Sequence, residues 1–90
     1  MERIKNFIGG QWPEPVSRQY INNIDPSLGI PYSLIADSDE RDVATAVQAA
    51  QQAFPLWSTL QTEKRAAILL RIADLIDRDL DQLALAESID

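Results

Sequence analysis

The chemistry open to this chain is bounded first by two missing residue types: its 90 residues include no cysteine and no histidine. No thiolate nucleophile, disulfide or zinc site of the usual Cys/His kind can be built from it alone. Among the groups that remain, paired carboxylates are the first to weigh for acid/base work. Asp37 with Asp39, and Asp77 with Asp81, are close enough in sequence to be weighed as acid/base pairs. Such pairs on an acidic helix face are ordinarily solvated, and that reading is preferred. Asp39, Glu40 and Asp42 offer oxygen to a hard cation, but the calcium-loop spacing with its central glycine is missing. Capping a helix is their expected role.

The other chemically suggestive residues resolve in the same way. Gly9, Gly10 and Gly29 do not have the spacing of a phosphate-cradling loop. Trp12 and Trp57 offer rings for stacking on a ligand, yet each is flanked by proline and apolar residues and reads as a packing anchor. Thr62-Glu63-Lys64-Arg65 reads as a polar first helical turn before it reads as an anion site. No active site is visible in these residues.

Net charge is −6, divided about equally between the two halves of the chain. Lys64 and Arg65 are adjacent and the other cations are isolated, so the basic stripe that neutralises phosphates is absent. Nucleic acid is not an expected partner. No run is apolar enough for a signal peptide or a membrane span, so no membrane partner is expected either. With no disulfide possible, the cytoplasm is the expected compartment.

The elements that would position these residues are legible in part. Residues 1–37 read as a β-hairpin segment and 38–90 as a helical segment. Ile4 to Ile8 and Trp12 onward predict a hairpin about Gly9-Gly10, with Pro13 and Pro15 halting its second arm. Tyr20 to Ile24, the turn Asp25 to Gly29, and Pro31 to Ser38 predict a second hairpin. Its last strand sets Tyr32, Leu34 and Ala36 on one side and Ser33, Ile35 and Asp37 on the other.

Ser38 or Asp39 caps the first helix, whose narrow stripe is Val43, Ala46, Val47, Ala50 and Phe54. Pro55 is expected to end it at Phe54. After the link Leu56 to Gln61, Thr62 is the expected cap of a second helix. Leu69, Ile72, Ile76, Leu80 and Leu83 line one face, while Ile68, Leu70 and Leu75 lie off it. Arg71, Asp74 and Arg78 are placed to pair on the wet side. This helix either continues through Asp79 or breaks there and begins a third.

A helix apolar over more than half its circumference wants partners on more than one side. The segment ending in Ala86-Glu87-Ser88-Ile89-Asp90 also lacks a closing glycine, asparagine or basic turn. Two readings stay open: a chain missing part of its fold, or a small bundle that frays at its end.

Three stretches together resemble the N-terminal segment of the aldehyde dehydrogenase superfamily. They are "NFIGGQW", "INNIDPSLGIPYSLIADSDERDVATAVQAAQQAFPLWS" and "EKRAAILLRIADLIDRDLDQLALAESID". "EPVS", "YSLIADSDERDV" and "AES" bring it nearest the 2-hydroxymuconic and 2-aminomuconic semialdehyde dehydrogenases. Two positions depart from the family pattern: Asp25-Pro26 stands for Asn-Pro, and Lys64-Arg65 for Glu-Arg.

The resemblance implies an α/β fold in which hairpins, then two or three helices, form part of a Rossmann-like cofactor-binding domain. It implies a parent enzyme that oxidises an aldehyde to the acid with NAD or NADP, through a cysteine thiohemiacetal. The nucleophilic cysteine, general-base glutamate, oxyanion-hole asparagine and cofactor-phosphate residues have no counterpart among these positions. No catalytic or cofactor-binding residue is carried over, and the chain alone is expected neither to bind the cofactor nor to turn over substrate. One family site does map here: a monovalent cation held by the backbone carbonyls of Asn23 and Ile24 and by Asp90. The implied partners are the rest of the dehydrogenase polypeptide and further copies in a homo-oligomer. The alternative of another class is a self-standing interaction module that binds a partner through its apolar helix.

Overall fold

The computed structural model describes residues 1–90. Three strands, β1 (Glu2–Ile4), β2 (Tyr20–Asp25) and β3 (Ile30–Ala36), precede three helices, α1 (Glu40–Thr59), α2 (Thr62–Arg78) and α3 (Leu80–Ile89). The expected α/β class is the observed one. Strand order is β1-β3-β2, with β3 central, antiparallel to β2 and parallel to β1.

The second hairpin forms as expected. Asp25 Oδ1 accepts from the amide and hydroxyl of Ser27 at 2.8 and 2.7 Å, and the Gly29 amide donates to Asp25 O at 2.7 Å. Gly29 carries the left-handed φ of +69° that closes this turn.

The first hairpin is shorter than expected. Gly9 and Gly10 turn the chain at φ +58° and +78°, as a two-residue hairpin turn requires. Ile8 and Gln11 exchange both backbone bonds, and the Asn6 amide reaches Pro13 O at 3.2 Å. The ladder stops there because neither Pro13 nor Pro15 has an amide to give. Residues 2–4 take a different partner, lying parallel to Ser33–Ile35.

In β3 the expected alternation fails at one residue. Asn23 lies opposite Ser33, but Ile24 lies opposite Pro31, so Tyr32 has no counterpart on β2. That is a β-bulge. Pro31 offers no amide to the ladder, and the strand accommodates it by slipping one residue. Tyr32 therefore leaves the side it was expected to share with Leu34 and Ala36.

Asp39, not Ser38, caps α1. Its side chain accepts from the Arg41 amide at 2.9 Å, and Asp42 Oδ2 accepts from the Asp39 amide at 3.0 Å. Pro55 does not end the helix, which runs on to Thr59. One ladder bond is forgone, that of the Gln51 carbonyl, and Gln51 is exposed so water can replace the donor. Hydroxyls of Ser58 and Thr59 then donate to Pro55 O and tighten the last turn. Gln61 rather than Thr62 occupies the cap position of α2, with no side-chain cap bond.

At Asp79 the backbone turns to φ −102°, ψ 19°, separating α2 from α3. Hydrogen bonds still cross the break: the Asp79 amide to Leu75 O and the Leu83 amide to Asp79 O, both at 3.0 Å. Arg78 pairs with the neighbouring Asp79 at 2.9 Å, and the expected pairing among Arg71, Asp74 and Arg78 is not made. Exposed pairs of this kind are worth about 0–1 kcal/mol, too little to choose between geometries.

The chain has no apolar core. Its buried residues are Pro15, Asp25, Ser33 and Asp42, and no large hydrophobic side chain is among them. Leu69 is 59% exposed, Leu70 66% and Ile76 49%, so both faces of α2 are open. The molecule is a slab of 47 × 35 × 15 Å with a radius of gyration of 16.7 Å. A compact domain of this length would measure about 12 Å. Helices and sheet share one layer, and the second layer that a domain needs is not supplied by these residues.

Candidate functional site

Two polar junctions tie the helical part of the chain to the part that precedes it. At the first, Asp42 Oδ1 accepts from the Val16 amide at 2.9 Å while its Oδ2 serves the α1 cap. Asn6 and Ser38 bond across the same junction at 2.8 Å. Two of the three residues weighed as a cation cluster, Asp39 and Asp42, are used here as structure, and Glu40 is exposed. Asp39 and Asp42 are committed to backbone amides, and Asp39 is bonded to Arg41 at 2.7 Å. That guanidinium and the Arg41 amide hold the Asp39 carboxyl below its ordinary pKa.

At the second junction the bulge matters. Asp90 Oδ1 accepts from Tyr32 Oη and from Asn23 Nδ2, both at 2.7 Å, and Asn23 Nδ2 lies 2.9 Å from Tyr32 Oη. Three residues 9 to 67 positions apart thus close a triangle that pins the end of α3 to the sheet. The donors stabilise the charged carboxylate, the phenol more than the amide, and lower the Asp90 pKa. The same carboxylate raises the Tyr32 pKa, because a phenolate beside it loses the bond and gains repulsion. Ser33 lies next along β3 with its hydroxyl buried and without a hydrogen-bond partner. It pulls weakly against the rise of the Tyr32 pKa without reaching good hydrogen-bond geometry.

The resemblance offered the backbone carbonyls of Asn23 and Ile24, with Asp90, to a monovalent cation; the structure instead shows the Asn23 side-chain amide donating to Asp90 Oδ1 at 2.7 Å. Both bonds on the carboxylate fall on Oδ1. No group of three or more acidic side chains assembles, so a divalent cage is not built. Tyr32 and Ser33 were missed from the sequence. The one signal was Pro31, a strand residue unable to complete a ladder.

The remaining candidates are not drawn into either junction. Asp77 and Asp81 are exposed on the helices. Trp12 packs its ring 4.7 Å from Phe7, as a packing anchor would, while remaining 63% exposed; Trp57 is 37% exposed. Arg65 reaches back to the Thr62 hydroxyl within its own first turn.

The family model "Aldehyde dehydrogenase family" matches residues 12–90. An aldehyde dehydrogenase of Vibrio cholerae is 45% identical over 85 residues, covering 94% of this chain and 17% of that protein. The 2-aminomuconic semialdehyde dehydrogenase of Mus musculus is 39% identical over 87 residues, covering 97% of this chain and 18% of its own length. Among solved structures, PnpE in complex with nicotinamide adenine dinucleotide superposes with a TM-score of 0.92 at 35% identity. That match covers 99% of this chain and 18% of PnpE. The chain belongs to the aldehyde dehydrogenase family. It spans less than a fifth of the length of these relatives.

Proposed function

We propose that these residues serve as the N-terminal part of an NAD(P)-dependent aldehyde dehydrogenase, within its Rossmann-like cofactor-binding domain. The rest of the polypeptide covers both faces of the slab and supplies the thiol, the general base and the cofactor contacts. The observation that carries this reading is a family chain without one buried large apolar side chain. Aliphatic residues left this open have a partner elsewhere or drive association.

NAD or NADP, held by that remaining polypeptide, accepts the hydride; no residue of this chain enters the step. The substrate assigned is a muconic semialdehyde, supported by the 39% identity to the mouse 2-aminomuconic enzyme and by the "YSLIADSDERDV" stretch. The assembled enzyme is a cytoplasmic homo-oligomer. A monovalent cation sits on the Asn23 and Ile24 carbonyls and Asp90, beside the bulge.

Reconstitution tests this reading. The chain is mixed with the Vibrio cholerae relative from which the matching 85 residues have been removed. Aldehyde-dependent NADH formation, from two pieces each inactive alone, is the expected result. A chain that folds alone as a rigid monomer and does not bind the truncated enzyme would support the interaction-module reading instead.

A further inference from the structure

The sheet has two open edges, and they are built differently. β1 is three residues long, carries Glu2 and Arg3, and is followed by Lys5. Short length and charge are the devices that keep an edge from pairing. β2 is six residues long, and Tyr20-Ile21-Asn22-Asn23-Ile24 contains no charge and no proline. An edge of that kind is a template for another strand.

The direction of its free groups follows from the ladder. The Asp37 amide donates to Gln19 O at 2.9 Å, and Tyr20 lies opposite Ala36. Gln19 is therefore in a hydrogen-bonded pair with Asp37, and by alternation so are Ile21 with Ile35 and Asn23 with Ser33. The backbone groups of Tyr20 and Asn22 face away from β3, toward the open edge.

We infer that the outer edge of β2 is completed by a strand of the dehydrogenase polypeptide lying outside residues 1–90, bonded to the backbone of Tyr20 and Asn22. The inference rests on the proposed function, since that polypeptide is its occupant. Length favours it: relatives matched by this chain are more than five times longer, so an extended segment is available within one molecule. Charge disfavours a second copy, which would bring one −6 chain against another at an edge closed by Asp25.

Amide hydrogen exchange in the reconstituted complex decides it, read at Tyr20 and Asn22. The expected result is that both amides slow by about two orders of magnitude relative to the chain alone, as ladder amides do. An active complex in which Asn22 exchanges as fast as in the free chain overturns the inference and leaves the proposed function standing. Failure to form any complex overturns both. Asn22→Pro removes the outward donor without cutting a β2–β3 bond, so it weakens complex formation about tenfold while the free chain keeps its circular dichroism. Ile21→Pro, which cuts an internal bond, serves as the control that damages the chain itself. Slowed exchange that appears in the free chain as its concentration rises identifies a second copy as the occupant and overturns the inference.

Discussion

The phenol of Tyr32 donates to the Asp90 carboxylate at 2.7 Å across 58 positions of sequence, so a bulged strand residue fixes the end of the last helix. Asn23 adds a second bond of the same length to the same oxygen. Tyr32 reaches this position only because it has no partner on β2. A regular strand would have left Asp90 with the amide alone.

This clasp has a defined pH window. The Asp90 pKa lies below its ordinary 3.8, so its stabilising effect is fully present above 3.8 and is lost as pH falls through the lowered value. The Tyr32 pKa lies above its ordinary 10.0, so its share is fully present below 10.0 and is lost as pH rises through the raised value. Tyr32→Phe removes the larger cause and returns the Asp90 pKa toward 3.8. Carboxyl carbon shifts of Asp90, titrated by NMR in the reconstituted complex, measure it. An unchanged Asp90 titration in the variant would contradict the assignment.

Asp42 satisfies two backbone amides from two segments, Val16 and Asp39, with separate oxygens. Asp42→Ala leaves both donors unpaired at a buried position and costs the complex about 2–4 kcal/mol, read from the urea midpoint. Asp42→Asn keeps one accepting oxygen and costs roughly half as much. Equal losses in the two variants would mean that the oxygen asparagine keeps contributes nothing, against the two-amide assignment.

How far these contacts were legible in advance differs element by element. The second hairpin, the Asp39 cap region and the apolar faces of α2 follow from local chemistry: turn formers, a capping carboxylate, and spacing at three and four residues. Pro55 misled because its cost, about 3 kcal/mol in a helix interior, is a preference that a 20-residue helix can absorb. The parallel pairing of β1 with β3 was invisible, since it joins residues about thirty positions apart with no turn between them to signal it. Tyr32 was hidden for a related reason. A bulge moves one residue out of alternation, and sequence periodicity carries no trace of which one.

Gly9 takes φ +58° in the tight turn, and an added Cβ would meet Ala49 only at an ordinary 3.8 Å. Gly9→Ala therefore loses stability through backbone strain alone, about 1 kcal/mol, measured as the same midpoint shift. Gly9→Asn loses less, because asparagine tolerates the left-handed region. A loss above about 3 kcal/mol for Gly9→Ala would instead point to a steric clash in the enclosed enzyme.

Differential scanning calorimetry of the purified 90-residue chain bears on the proposal that polypeptide outside these residues encloses the apolar faces of α2 and α3. A domain of this length with its own core would unfold in one transition of roughly 60 kcal/mol. The slab described here, with no buried large apolar side chain, is predicted to show no cooperative transition when dilute and monomeric. A sharp two-state endotherm near the full enthalpy, from a monomer, would contradict that claim.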